Sequence, residues 1–122
     1  MKKSLIVVVL SIFGWYESHA QRIEFKNETL HYGRIKMGSN GERVFKFKNS
    51  GDKPLILSNV SASCGCTTPK WSTNPVLPKE SGKINVVYDT QRIGPFKKSV
   101  TIFSNAINTQ RKIIYVEGEV VK

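Results

Sequence analysis

The sequence predicts an all-β protein, an immunoglobulin-like antiparallel β-sandwich, and three observations carry that reading. Apolar and polar residues alternate in several short runs, turn-forming clusters separate them, and no stretch of roughly ten residues keeps a helical period. Alternation with one wet face is the pattern of antiparallel sheet, and about seven such runs in about 100 residues suit a two-sheet sandwich.

Along the chain, Phe45 and Phe47 share one face, with Val44, Lys46 and Lys48 on the other. Leu55-Ile56-Leu57 followed by Val60 keeps no single register, which suggests a bulge near Ser58-Asn59. Ile84, Val86 and Tyr88 alternate with Asn85 and Val87, and Val100 and Ile102 with Ser99 and Thr101. Ile114, Val116 and Val120 share a face with Gly118 among them, and Glu117 and Glu119 read as a solvated face. Turns are expected at 38–41, 49–52, 79–82 and 93–95. Residues 64–80, with Pro69, Pro75 and Pro78, form the longest stretch with no clear strand and are expected to be an irregular loop.

The first twenty residues have a different character. Lys2 and Lys3 precede an apolar run from Leu5 to Phe13, and Ser18-His19-Ala20 supplies small residues for cleavage before Gln21. This is the plan of a signal peptide over 1–20, leaving a single sandwich domain over 21–122. The apolar run is about half the roughly 20 residues a membrane span needs, and no second long apolar run follows. The expectation is an exported protein, periplasmic or secreted, with no transmembrane helix after cleavage.

The formal charge is +10; Lys2, Lys3 and Glu17 fall in the leader, a net +1, so 21–122 carries +9. A summed positive field of this size attracts anions and also serves solubility. No nucleic-acid motif accompanies it, so sequence-specific nucleic-acid recognition is not expected. The partners expected are an envelope protein or an anionic envelope surface.

Cys64-Gly65-Cys66 holds the only two cysteines. Four readings stand open: a disulfide closing a three-residue loop, a redox-active dithiol, a Cu(I) chelate, and two inert small hydrophobes in a turn. Export favours oxidation, and Gly65 would allow a left-handed turn between the sulfurs. Zinc asks for four ligands, and His31 is the one histidine after the leader, so no cofactor or metal is expected. Thr67, Lys70 and Trp71 follow as candidate binding-loop residues, with Lys70 in sequence near enough to lower a thiolate pKa. A Ser-His-Asp arrangement would have only His31 to use, no motif surrounds it, and no catalytic residue is assigned.

The block Ser63-Cys64-Gly65-Cys66-Thr67 sits inside a longer pattern. Phe45, Phe47, Asn49, Gly51, Pro54-Leu55 and Val60 precede it; Pro69, Trp71, Pro78, Gly82, Tyr88-Asp89, Gly94, Phe96, Ser104-Asn105-Ala106 and Gly118 follow. The pattern resembles the bacterial domain-of-unknown-function family 1573, over roughly residues 23–121, and that family resembles the Hydin-like and major-sperm-protein-like branch of immunoglobulin sandwiches. The resemblance implies an exported single-domain sandwich and no established activity. One departure is Lys79-Glu80-Ser81, where a Pro-Gly turn would be expected. The function expected is a non-enzymatic interaction or structural module of the cell envelope; the alternative is thiol-redox or Cu(I) handling through Cys64 and Cys66.

Overall fold

A computed structural model describes residues 20–122. The expected leader, Ala20 excepted, lies outside the described residues. The described chain forms eight strands: β1 (Ile23–Phe25), β2 (Thr29–Lys36), β3 (Glu42–Asn49), β4 (Leu57–Ala62), β5 (Thr67–Lys70), β6 (Ser81–Tyr88), β7 (Gly94–Ser104) and β8 (Arg111–Val121). They make two four-stranded sheets, ordered β1-β3-β6-β5 and β2-β8-β7-β4. Among the described residues there is no helix long and apolar enough to cross a membrane.

The alternating runs lie in β3, β6, β7 and β8, and their apolar faces meet between the sheets. Phe45, Phe47, Ile84, Val86, Tyr88, Val100, Ile102, Ile114 and Val116 are all buried. Side chains from two inner faces interdigitate in this way in a sandwich core. The suspected bulge is present: the β4–β7 register shifts between Leu57 and Asn59. That single extra residue lets Leu57 and Val60, three apart in sequence, both reach the core.

Three strands depart from the expectation. β5 lies inside the stretch expected to be loop. Its four residues include Pro69, which is tolerated because β5 is the outer strand of its sheet and pairs only with β6. β1 is three residues long, too short for a period to show. β2 pairs with β8 in parallel, the one parallel pair in an otherwise antiparallel fold. Its register shifts between His31 and Gly33, and Gly33 has φ +67°. The shift breaks the alternation that sequence reading relies on.

At one end of the sandwich Tyr32, Tyr88 and Phe96 form an aromatic cluster. Tyr88 and Phe96 stack at 3.7 Å, and Tyr32 meets Phe96 edge-on at 5.3 Å. The Tyr32 hydroxyl donates to the Gly41 carbonyl at 2.7 Å, and the Arg43 guanidinium lies 4.4 Å over its ring. Burial pushes the Tyr32 phenol up to about 12, against the pull of Arg43. At the opposite end a fully buried asparagine ties loops together. Asn49 Oδ1 accepts from the Arg22 and Gly51 amides, and its Nδ2 donates to the Lys53 and Val76 carbonyls. The departure from the family pattern falls nearby: Lys79 has φ +68°, the left-handed geometry that a glycine would take without strain.

Candidate functional site

The chain leaves β4 in one sheet and enters β5 in the other, and Cys64-Gly65-Cys66 forms the corner between them. The corner is held from several sides. The Ser63 amide donates to Ser99 O at 2.9 Å, continuing the β4–β7 ladder one residue past β4. The Asp89 amide donates to Cys66 O at 2.8 Å, and the Thr67 amide to Cys64 O at 3.3 Å. The two Cα atoms lie 5.3 Å apart and the sulfurs lie at disulfide distance, within the ordinary Cα range of such bridges.

The two cysteines are not equivalent. Cys66 is buried against the core and Cys64 is half-buried, so the outer sulfur belongs to Cys64. The Cys66 amide donates to Cys64 Sγ at 3.2 Å. Thr67 Oγ1 sits beneath both sulfurs, 3.9 Å from Cys64 Sγ and 3.7 Å from Cys66 Sγ. Gly65 is exposed and does not use a positive φ, so the turn does not need the left-handed freedom expected of it. Chemically, the corner offers one accessible sulfur for thiol–disulfide exchange, with two neighbouring donors able to hydrogen-bond a thiolate.

Of the other candidate residues, Thr67 and Lys70 lie in β5, and only Trp71, just past it, stands in irregular chain. Thr67 is buried as the first residue of β5, and Lys70 is exposed as its last. Three residues of strand place Lys70 roughly 10 Å from the position of Thr67 along the strand, out of direct reach of the sulfurs. Trp71 is half-buried and packs against the core with its indole Nε1 enclosed and unpartnered, so it caps the core end more than it offers a platform. His31 is on β2, across the whole sheet from β4, and pairs with Glu117 at 2.7 Å. The structure therefore does not bring histidine and cysteines together.

A three-residue ring removes little chain entropy from the unfolded state. Replacing Cys64 and Cys66 together by serine is expected to lower stability by at most about 1–2 kcal/mol. A denaturant titration checks this; a loss above about 3 kcal/mol would show that the corner stabilises the fold by more than ring closure.

A second feature leaves no mark in the sequence, because it depends on which outward positions the strand register sets side by side. The outer face of β2-β8-β7-β4 divides along its length. Toward one end, His31 and Lys97 flank Glu117, and Arg34 pairs with Glu119 at 3.1 Å. Toward β4 the same face is less charged: Ser61 lies beside Thr101, Thr101 beside Ile113, and Tyr115 beside Ser99. Arg111, beside Phe103, and Lys97, 5.2 Å over the Tyr115 ring, stand at its margins. Ile113 and Tyr115 are exposed. The strand edges also differ. β1 and β5 are three and four residues long, β5 carries Pro69, and β2 carries a register shift with His31, Arg34 and Lys36. Short strands, bulges, proline and charge are the usual guards of a sheet edge. β4 carries a bulge and is short beyond it, but it has neither proline nor charge: Asn59-Val60-Ser61-Ala62 is regular and uncharged.

Fold and surface together define a small immunoglobulin-like sandwich, with one uncharged strand edge and one cysteine corner. The chain belongs to the family described as "Protein of unknown function (DUF1573)", matched over residues 23–120. No curated protein matches it. Among solved structures, it is similar to a protein of unknown function from Porphyromonas gingivalis W83, with TM-score 0.75 and 18% identity. That similarity covers 88% of this chain and 50% of the other, so the chain spans half the length of that protein. It is also similar to the PapD-like domain 7 of human CEP192, with TM-score 0.70, 8% identity, and coverage of 88% and 90%. A third similarity is to the CupB2 chaperone of Pseudomonas aeruginosa, with TM-score 0.59, 9% identity, and coverage of 80% and 55%.

Proposed function

We propose that the chain is an exported, non-enzymatic interaction module of the cell envelope, periplasmic or secreted, that takes an extended strand of an envelope protein onto β4. The observation that carries the reading is the uncharged, proline-free β4 edge. Ser63 N–H points to β7, so by the alternation of an antiparallel ladder the N–H and C=O groups of Val60 and Ala62 point away from it. An added strand would satisfy them, and main-chain pairing of this kind needs no catalytic group. The adjoining strip, with Tyr115 and Ile113 among hydroxyl residues and cations only at its margins, has the composition of an interface core on a basic surface. The likeness to a protein titled a chaperone supports a binding role in the same spirit.

The test is site-specific photocross-linking in cells that make the full chain. A photoreactive residue at Ser61 is expected to capture one discrete protein, and Asn59→Lys is expected to abolish the capture. Equal labelling from Ser61 and from a site on β2 such as Arg34 would remove β4 as the docking edge. The alternative of thiol-redox or Cu(I) handling makes a different demand. A Cys66→Ser chain whose free Cys64 thiolate attacked the disulfide of an envelope protein, displacing one of its sulfurs as a thiol and staying joined to the other as a mixed disulfide, would put that reading in place of this one.

A further inference from the structure

The outer face of the other sheet, β1-β3-β6-β5, carries its charge in a different way. Lys46 and Lys48 on β3 and Lys83 on β6 stand opposite in parity to the buried Phe45, Phe47 and Ile84, so they project outward. Lys46 and Lys83 are direct cross-strand partners. Like charges in that position repel and destabilise a sheet. Lys26 adjoins Lys46 through a backbone hydrogen bond, and Lys70 on β5 pairs with Asn85, two residues from Lys83. The row Lys26, Lys46, Lys83, Lys70, which begins one residue past β1, thus runs from side to side of the sheet, over roughly 15 Å at ordinary strand spacing. Among the described residues none of these lysines, nor Lys48, forms an ion pair. Glu42, at the edge of the face, is occupied by the Asn85 amide at 2.9 Å.

On the opposite face of the same molecule, each glutamate sits between or beside cations. Here Lys46 faces Lys83, and of the two glutamates on the face, Glu24 opposite Lys48 and Glu42 at the edge, neither stands between them, so the face keeps a positive excess. We propose that this face docks flat on a membrane surface of anionic lipid headgroups. The shape and chemistry favour a planar array over a single polymer. The outward positions hold no aromatic residue on which a base or sugar ring would stack, and no arginine to grip one carboxylate or phosphate in two-pronged fashion. Lysine heads on flexible stems, with the exposed Val44 between them, meet a plane of headgroups simultaneously. This surface lies on the other sheet from the outer face beside β4, so docking leaves that strip free for a protein strand. The inference rests on the export reading only for which membrane the protein meets.

The experiment uses the full chain with vesicles of phosphatidylcholine alone and of phosphatidylcholine mixed with phosphatidylglycerol. Binding is expected only to the anionic vesicles, and is expected to fade between about 20 and 500 mM salt as the Debye length shortens. Lys46→Gln with Lys83→Gln is expected to weaken binding about twentyfold, from roughly fivefold per lysine at an anionic surface. Arg92→Gln with Lys122→Gln removes the same net charge elsewhere and is expected to change binding less than threefold. Thermal melts are expected to show the Lys46/Lys83 variant folded, since the change relieves a repulsion. Equal weakening by both pairs would overturn the assignment to this face. Failure of the wild-type chain to bind anionic vesicles, or binding to an acidic polysaccharide such as polygalacturonate in their place, would overturn the lipid partner. Neither failure touches the β4 reading, whose cross-linking test uses no lipid.

Discussion

Replacing Asn49 by leucine is expected to remove about 3–5 kcal/mol of stability, a large part of what a domain of this size holds. Asn49 is fully buried, and its side-chain amide makes four hydrogen bonds. Leucine fills a similar volume but leaves the Gly51 amide and the Lys53 and Val76 carbonyls without that partner. A buried group stripped of its partner costs about 1–3 kcal/mol, far more than a typical hydrogen bond contributes in net terms. Aspartate is expected to fail as well, because it keeps the acceptor and turns the two donor contacts into repulsion between oxygens. Chemical denaturation of the full chain measures this as a fall in midpoint with the slope unchanged. A loss below about 1 kcal/mol would mean that water replaces the side chain in the knot.

Gly118→Val is expected to cost about 2–4 kcal/mol through a collision inside the sheet. A Cβ at Gly118 would stand 2.7 Å from Tyr32 Cβ, 2.9 Å from Gly33 O and 3.2 Å from the Phe96 ring. Backbone and a buried ring surround the position, so little can give way. Gly65→Ala is the matched contrast. A Cβ there meets nothing within 4 Å, and the backbone needs no positive φ, so its effect is expected to stay within about 0.5 kcal/mol. Parallel melting curves for the two variants check both statements. A mild Gly118→Val would show that β2 can shift away from β8.

The strands that could be read from sequence are those with one dry and one wet face over their whole length. β3 and β6 show this plainly, because Phe45, Phe47, Ile84 and Val86 alternate with exposed or half-buried residues without interruption. β2 could not be read, because the register shift between His31 and Gly33 moves Tyr32 and Ile35 out of step. β5 could not, because Thr67, Thr68 and Pro69 look like a turn until an outer-strand position makes proline harmless. At the candidate site, counting cysteines fixed which two residues an intramolecular bridge would join and left open whether they form one; the sulfurs lie at disulfide distance. Their placement at the crossing between sheets, with Thr67 beneath them, follows from tertiary structure and leaves no local mark. The lysine row is similar: each lysine reads as an ordinary solvated position, and only the register sets Lys46 against Lys83. Several residues of the family pattern prove to be architectural. Asn49 and Gly51 belong to the knot, the Phe47 ring lies against Gly82, and Gly118 admits Tyr32.

The parallel pairing of β2 with β8 has a consequence for how the molecule comes into being. β8 lies second in its sheet, between β2 and β7, yet it is the last strand in the chain. Thr29 must wait for Tyr115, and Ile35 for Val120. Contacts so distant in sequence are paid in loop-closure entropy before they return anything, which makes folding slow. Until residues 111–121 have emerged, β2 has no strand to pair with and β7 has only β4. The second sheet of the nascent chain therefore stays open until β8 arrives, and its unpaired strands are exposed to proteases and aggregation for as long as that lasts.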